Sequence, residues 1–271
     1  GVYQAAQELG GGSHAAAVTV KRIGVNEQGV RSHRAWALGI ATATRGSGHL
    51  GGAPQTEHRR LPAEVGIKLF KQPAAGLPSA RVEAALAARG SAAVLEVGFG
   101  TGLNFLVTAC AAAAAGAALT YVAVERDPLP TARLRELRYA ELLAPCPLPG
   151  ELIAGLEGLG ARPPAGAHRL PVGGARLELV VADAAEAVAD LPADAFDAVY
   201  LDPFSPRANP DAWEAALLAR LVAALRPGGR LVSYSVSGEV RRRLAAAGAR
   251  VAKVPGPPGG KRETLVAERA G

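Results

Sequence analysis

A glycine-rich turn between a buried strand and a helix constrains the fold of this chain more than any other feature. The apolar residues 92–97 predict the strand, Gly98, Gly100 and Gly102 form the turn, and residues 104–115 predict the helix. Glycine lets the backbone turn tightly and come close to a ligand. Because such units bind ligands at the carboxyl ends of their strands, we expect a ligand site directly after residue 97.

The glycine spacing and one acidic residue indicate what kind of ligand this is. The dinucleotide fingerprint has its third glycine at the position held here by Leu103, whereas this chain has it one residue earlier, at Gly102. Glu96, inside the strand, would repel a pyrophosphate but could attract the ammonium group of a methionine moiety. The turn therefore favours a cofactor without phosphates. Asn104, which opens the helix, joins Glu96 and the three glycines as a candidate cofactor-binding residue.

The chain beyond the turn alternates between predicted strands and helices. Further strands are predicted at 119–124, 177–182, 198–201, 230–235, 250–254 and 263–267. Helices are predicted at 79–89, 130–143, 184–191, 212–225 and 238–247, with one short helix near 150–159 inside a Pro/Gly-rich connection. Alternation of this kind predicts a parallel sheet with helices on both faces. The last two strands are joined by a segment too short for a helical crossover, so they should pair antiparallel.

Residues 1–78 lack this pattern and predict a separate, irregular N-terminal extension. Segments 15–23 and 37–44 could form a small hairpin, or the region could be the processed remnant of a targeting peptide. The second reading would place the protein in a plastid or mitochondrion, and the first leaves it in the cytoplasm. We expect residues 79–271 to form the main domain.

Apolar runs and cysteines exclude some classes of protein. No run of apolar residues is long enough to predict a membrane span. Cys110 and Cys146 lie 36 residues apart with no zinc spacing, so we interpret them as free thiols in a reducing compartment. The histidines likewise show no metal spacing, and we predict no metal site.

Two acidic residues follow the second and third predicted strands of the main domain. Glu125, 23 residues after Gly102, could accept hydrogen bonds from both hydroxyls of a ribose. Asp183 could accept a hydrogen bond from an adenine amino group, or it could cap the helix that starts at Ala184. Both residues support a cofactor that contains adenosine.

The fourth strand ends at Asp202, in a connection stiffened by Pro203, Pro206 and Pro210. A stiff loop can hold a reacting group in register with a donor. An amine must be neutral to act as a nucleophile, and Asp202 could orient it and take up its proton. The alternative is that Asp202 is a turn residue. Phe204 could stack on a nucleobase.

Three segments together resemble the methyltransferase domain of MnmC-like tRNA-modifying proteins: residues 96–105, 201–213 and 260–265. The resemblance covers about residues 80–268 and implies a Rossmann-like class I fold. It also implies methyl transfer from S-adenosylmethionine to the amine of 5-aminomethyl-(2-thio)uridine at the tRNA wobble position, with Asp202 as the catalytic residue. The chain departs from the family in having Asp-Pro-Phe-Ser where Asp-Gly-Phe-Ala is expected, and in its N-terminal region.

Bifunctional members of this family carry a flavin oxidase domain as well. This chain has no second nucleotide-binding loop, so we expect no flavin. Two other functions stay open: a transferase acting on a small amine, similar to aminopropyltransferases, and a cofactor-binding protein with weakened catalysis.

Charge is unevenly distributed along the chain. Residues 241–271 contain 8 Lys/Arg and 2 Asp/Glu, a net charge of +6, which would attract a polyanion. With the family resemblance in view, we predict that Lys261 and Arg262 contact tRNA phosphates. The run of arginines at 241–243 is interpreted as solvated surface.

Overall fold

The computed structural model describes residues 18–21, 37–40, 78–143, 145–255 and 263–271. The strands in these ranges are β1 (Val18–Lys21), β2 (Ala37–Ile40), β3 (Ser91–Val97), β4 (Ala118–Glu125), β5 (Gly166–Val172), β6 (Ala175–Val181), β7 (Phe196–Leu201), β8 (Leu225–Ser233), β9 (Ala249–Pro255) and β10 (Glu263–Arg269). The α-helices are α1 (Pro78–Arg89), α2 (Leu103–Ala114), α3 (Thr131–Glu136), α4 (Tyr139–Leu142), α5 (Leu148–Gly158), α6 (Ala184–Val188), α7 (Ala215–Ala224) and α8 (Gly238–Ala246).

The backbone contacts divide the chain into two units, Gly1–Leu69 and Phe70–Gly271. In the first unit β1 and β2 pair antiparallel, with Val18 opposite Ile40. Both strands lie within the segments predicted for the hairpin, 15–23 and 37–44. The partition into an extension of residues 1–78 and a domain of residues 79–271 stays a prediction.

The second unit is built on one eight-stranded sheet in the order β5-β6-β4-β3-β7-β8-β10-β9. The five strands from β6 to β8 in that order are parallel, and β10 pairs antiparallel with both β8 and β9. Every residue of β7 is buried, as expected for a central strand covered on both faces. Helices α6, α7 and α8 pack against one face in a single apolar cluster. The predicted mostly parallel α/β sheet with a terminal antiparallel pair is confirmed.

The observed elements differ from the predicted ones in several places. Strand β5, which pairs antiparallel with β6, lies in the segment interpreted as a connection. Its exposed edge position explains why it lacks the apolar run of the inner strands. The predicted helix 130–143 is broken at Arg138, whose φ is 51°. The predicted helix 212–225 begins instead with a 3₁₀ turn, Asp211–Trp213, followed by the extended residue Glu214.

The prediction of two free thiols is wrong in this structure. Cys110 on α2 and Cys146, two residues before α5, form a disulfide with an S–S distance of 2.03 Å and a Cα–Cα distance of 6.0 Å. Helices α2 and α5 pack together, so the two cysteines meet although 36 residues separate them. That contact is tertiary, and spacing along the chain does not reveal it. Among the helices of the described ranges, none is long and apolar enough to cross a membrane.

A buried carboxylate joins several elements at the amino edge of the sheet. Asp197 on β7 is 1% exposed and accepts hydrogen bonds from Arg89 (2.6 Å), Arg226 (2.8 Å) and the Ala93 N–H (2.9 Å). Burial alone would raise the pKa of Asp197, but these hydrogen bonds hold it below its usual value. The ionised carboxylate therefore stabilises the fold above pH ~4, and that stabilisation is lost as the pH falls through the lowered pKa.

Asp197→Asn should lower the free energy of unfolding by about 1.5–3 kcal/mol at neutral pH, because the buried side chain loses charge-assisted hydrogen bonds to two partly exposed arginines. Urea denaturation measures this. The matched control is Asp190→Asn, which removes an exposed carboxylate and should change stability by less than about 0.5 kcal/mol. Equal stabilities for the two variants would contradict the assignment.

Candidate active site

The turn after β3 and the residue after β7 are in direct backbone contact. The Asp202 N–H donates a hydrogen bond to the Val97 carbonyl at 2.9 Å. A Cβ placed on Gly98 would lie 2.9 Å from both the carbonyl carbon and the oxygen of Asp202, which is closer than real Cβ atoms come. Only glycine fits there, at a φ of 92°. The structure therefore brings the glycine turn and Asp202 to one place at the carboxyl edge of the sheet.

Glu125 holds the same turn from the neighbouring strand β4. The Gly100 N–H donates to Glu125 Oε2 at 2.9 Å, and the Asp127 N–H donates to Oε1 at 3.0 Å. A Cβ on Gly100 would meet no atom within 4 Å, so this side of the turn is open. At Gly102 a Cβ would instead collide with the Phe99 ring, at 2.8 Å. The turn is therefore crowded at Gly98 and Gly102 and accessible at Gly100.

Glu96 lies beneath the turn and is fully buried. Asn104 Nδ2 donates to its Oε1 at 2.7 Å, and Tyr121 Oη donates to its Oε2 at 2.9 Å. Burial raises the pKa of Glu96 well above its usual value; the two hydrogen bonds oppose this shift, and the charges of Asp202 and Glu125 add to it. Both oxygens of Glu96 already have protein partners, and its contact with a methionine ammonium stays a prediction.

The buried polar cluster around Glu96 contains tyrosines that sequence reasoning missed. The Tyr121 and Tyr200 rings meet edge-on at 6.3 Å, and Tyr200 Oη lies 3.5 Å from Thr108 Oγ1. Burial raises the pKa of Tyr200 to about 12. The available signal was a tyrosine within each of two otherwise aliphatic strands, because a buried hydroxyl needs a polar partner.

Asp183 follows β6 and caps α6, since its Oδ1 accepts a hydrogen bond from the Ala185 N–H at 2.9 Å. Its Oδ2 lies 3.7 Å from the exposed Arg126. The capping interpretation of Asp183 is therefore correct. This Oδ2 contact is long for an ion pair. The contact of Asp183 with an adenine stays a prediction.

The connection after Asp202 is anchored by its backbone and exposes an aromatic ring. Phe204 is 69% exposed and is the only exposed large hydrophobic residue among those described. Its carbonyl accepts a hydrogen bond from the buried Trp213 Nε1 at 2.9 Å, and the Trp213 carbonyl accepts one from Arg243 at 2.6 Å. Phe204 is thus held beside Asp202 with its ring in solvent.

Two predictions about the site remain: that Lys261 and Arg262 contact phosphates, and that there is no metal site. Lys261 and Arg262 lie outside the described residues, so their contact with phosphates stays a prediction. Within the described ranges, no group of three His, Cys, Asp or Glu side chains could hold a metal ion.

Comparison with known proteins shows which proteins this chain is similar to. Residues 159–270 match the family described as S-adenosyl-L-methionine-dependent methyltransferase. A solved structure, described as MnmC2 from Aquifex aeolicus, superposes with a TM-score of 0.53 at 25% identity, covering 70% of this chain and 57% of that one. Together with the sheet order, these matches show a Rossmann-like fold and a similarity to S-adenosylmethionine-dependent methyltransferases.

Within that class the chain is similar to one kind of tRNA-modifying protein, the tRNA 5-methylaminomethyl-2-thiouridine biosynthesis bifunctional protein MnmC. It is 40% identical to the Chromobacterium violaceum protein over 180 residues, which are 64% of this chain and 26% of the relative. It is 41% identical to a Pseudomonas aeruginosa protein over 201 residues, 70% of this chain and 29% of the relative. The predicted resemblance is confirmed, and the matched part spans about a quarter of the length of these relatives.

The raised pKa of Glu96 predicts how stability depends on pH. The folded protein binds a proton at Glu96 more tightly than the unfolded chain does, so this group destabilises the fold as the pH rises above ~4.5. Glu96→Gln removes the ionisable group and therefore this loss of stability at higher pH. The difference in unfolding free energy between Glu96→Gln and the unmodified protein should therefore grow between pH 5 and pH 8, by about 1.4 kcal/mol for each unit by which the pKa is raised.

Urea denaturation at several pH values measures this difference. The control is Glu186→Gln, at an exposed position on α6, which should give a curve parallel to that of the unmodified protein. Parallel curves for Glu96→Gln as well would show that Glu96 is not held in a desolvated site.

Proposed function

We propose that the chain transfers a methyl group from S-adenosylmethionine to the amine of 5-aminomethyl-(2-thio)uridine at the wobble position of tRNA. The observation that carries the proposal is the backbone contact between Gly98 and Asp202, because it puts the cofactor turn and the candidate proton acceptor at one edge of the sheet. The printed names of the relatives, which concern 5-methylaminomethyl-2-thiouridine in tRNA, support the choice of substrate.

The residues at this edge fit the cofactor. Gly100 faces open space, so a ligand can approach the backbone closely there. Glu125 ends β4, the strand beside β3, and Asp183 follows β6, the next strand in the sheet. We assign them to the ribose hydroxyls and the adenine amino group. Glu96 and Asn104 lie below the turn, and we assign them to the side that binds the methionine moiety, with Gly98 and Gly102 shaping the backbone.

The reaction requires the protein mainly to position the methyl donor and the amine. When bound, S-adenosylmethionine supplies a methyl group on a sulfonium that is already a good leaving group. The nitrogen–methyl bond forms as the sulfur–methyl bond breaks, and the amine loses one proton. Because a free alkylammonium titrates near ~10, a proton acceptor is needed at neutral pH. We assign that role to Asp202, acting directly or through a water, and we assign to its anchored loop the alignment of the amine.

Further assignments belong to the same proposal. We place Phe204 against the base that carries the amine, and Lys261 and Arg262 against tRNA phosphates. The catalytic unit is residues 79–271 and needs neither flavin nor metal. We place the protein in the cytoplasm, with a plastid or mitochondrion as the alternative if the N-terminal region is a targeting remnant.

Asp202→Asn should lower kcat for methyl transfer by about 10²–10⁴-fold, because it removes the proton acceptor but keeps the size of the side chain. The measurement is nucleoside analysis of tRNA that carries 5-aminomethyluridine, after incubation with methyl-labelled S-adenosylmethionine. The Asp190→Asn control should keep full activity.

The same experiment separates the proposal from its alternatives. Label in free amines but none in tRNA would favour a small-amine transferase. Cofactor binding with no transfer to any acceptor would favour a weakened cofactor-binding protein. Label at a nucleoside other than the wobble uridine would contradict the proposal.

Phe204→Ala should raise the KM for tRNA about tenfold, because stacking of a base on an aromatic ring is worth about 1–3 kcal/mol. The affinity for S-adenosylmethionine, measured by calorimetry, should not change, since Phe204 is on the solvent side of the loop. Phe204→Tyr keeps the ring and should retain the original KM. An unchanged KM in the alanine variant would remove Phe204 from the substrate site.

A further inference from the structure

Most of the described cationic side chains are paired with carboxylates, and three of the exceptions lie at one edge of the sheet. Five arginines whose side chains are described make no ion pair with another described residue: Arg176, Arg207, Arg220, Arg241 and Arg242. All five are exposed. Arg207, Arg241 and Arg242 lie on the segments that follow β7 and β8, at the carboxyl edge that contains Asp202.

Arg241 and Arg242 on α8 point to the same place. A Cβ on Gly238, the first residue of α8, would lie 3.5 Å from Arg242 Nη1 and 3.9 Å from Arg241 Nη2. Like charges brought together in this way repel each other, and no described carboxylate offsets them. The carboxylate on the same turn, Glu239, is already paired with Arg243. An anion between the two guanidinium groups would relieve the repulsion.

Hydrogen bonds of the neighbouring Arg243 link helix α8 to the backbone of the loop that carries Phe204. Arg243, next to Arg242, donates to the Trp213 carbonyl, and Trp213 donates to the Phe204 carbonyl. Arg207 lies three residues after Phe204, where the Ala208 N–H donates to the Ser205 carbonyl at 2.8 Å in a turn. An aromatic ring and unpaired guanidinium groups thus share one edge of the sheet. Aromatic rings and cations together are what single-stranded nucleic acid needs, the first for its bases and the second for its phosphates.

We propose that Arg207, Arg241 and Arg242, called here the arginine face, bind the phosphates on either side of the nucleotide whose base stacks on Phe204. The proposal rests on the proposed function, and it revises the interpretation of residues 241–243 as merely solvated surface. Arginine suits this role because its planar guanidinium makes two parallel hydrogen bonds to a phosphate. Asp211 and Glu214 are exposed on the same connection and would repel a phosphate, so the face is limited to the three arginines.

The test compares two variants that change net charge on opposite edges of the sheet. Arg241→Ala/Arg242→Ala removes part of the arginine face. Arg176→Ala, the control, removes an equally exposed and unpaired arginine near the amino end of β6, at the far edge. Affinity of the full chain for bulk tRNA is measured by fluorescence anisotropy between 50 and 200 mM salt, a range in which counterion release dominates at about 0.7–0.9 units of slope per phosphate contact.

The double variant should bind tRNA at least tenfold more weakly at low salt, with a slope of log K against log salt reduced by about 1–2 units. Arg176→Ala should keep the original slope. Calorimetry with S-adenosylmethionine should give the same affinity in all three proteins, which excludes general damage to the fold.

Equal slopes in the double variant and in Arg176→Ala would overturn the proposal. It would also be overturned if the double variant lost binding to vesicles of anionic lipid but kept its binding to tRNA. The binding assay needs no methyl transfer, so an unmodified protein that bound tRNA but failed to methylate it would count against the proposed function and not against the arginine face.

Discussion

The proposed active site depends on one backbone contact, in which the residue that follows β7 lies directly against the glycine turn that follows β3. The Asp202 N–H bonds to the Val97 carbonyl, and Gly98 has no side chain because the Asp202 carbonyl occupies that space. The contact fixes Asp202 by its own backbone, without relying on a flexible side chain. Neighbouring parallel strands that end at one edge make this contact possible, since β3 and β7 are adjacent in the sheet.

The electrostatics of the site follow from what lies below that contact. A buried glutamate with two neutral hydrogen-bond donors, Asn104 and Tyr121, is costly to ionise. A ligand that brings positive charge, as an ammonium and a sulfonium do, favours the ionised carboxylate. The proposed cofactor therefore matches the charge of its site. At the outer rim the charge is reversed, because unpaired arginines face the solvent where a polyanionic substrate would approach.

Much of the fold could be predicted because local patterns and tertiary structure agree in it. The mostly apolar strands β3 and β7 are almost entirely buried. The short connection between β9 and β10 requires an antiparallel pair. Strand β5 could not be found, because an exposed edge strand lacks that apolar signal. The break at Arg138 has no signal either, since a non-glycine residue with positive φ is selected by packing.

Some residues of the candidate site could likewise be predicted from the sequence, and others could not. The positions of Gly98, Glu125, Asp183 and Asp202 were predictable because each follows a strand that the sequence reveals. Tyr121 and the disulfide of Cys110 with Cys146 were not, because each depends on which helices and strands pack together. The arginines at 241 and 242 could not be separated from ordinary surface charge by sequence, since only the structure tells which cations are paired.

The most direct measurement of the central claim is a crystal structure of the protein with S-adenosylhomocysteine, the product left after methyl transfer. The account predicts that the adenosyl group lies between Glu125 and Asp183, and that the sulfur lies over the glycine turn on the side facing Asp202. A ligand bound elsewhere, or one whose sulfur is turned away from Asp202 with the Phe204 loop unchanged, would contradict it.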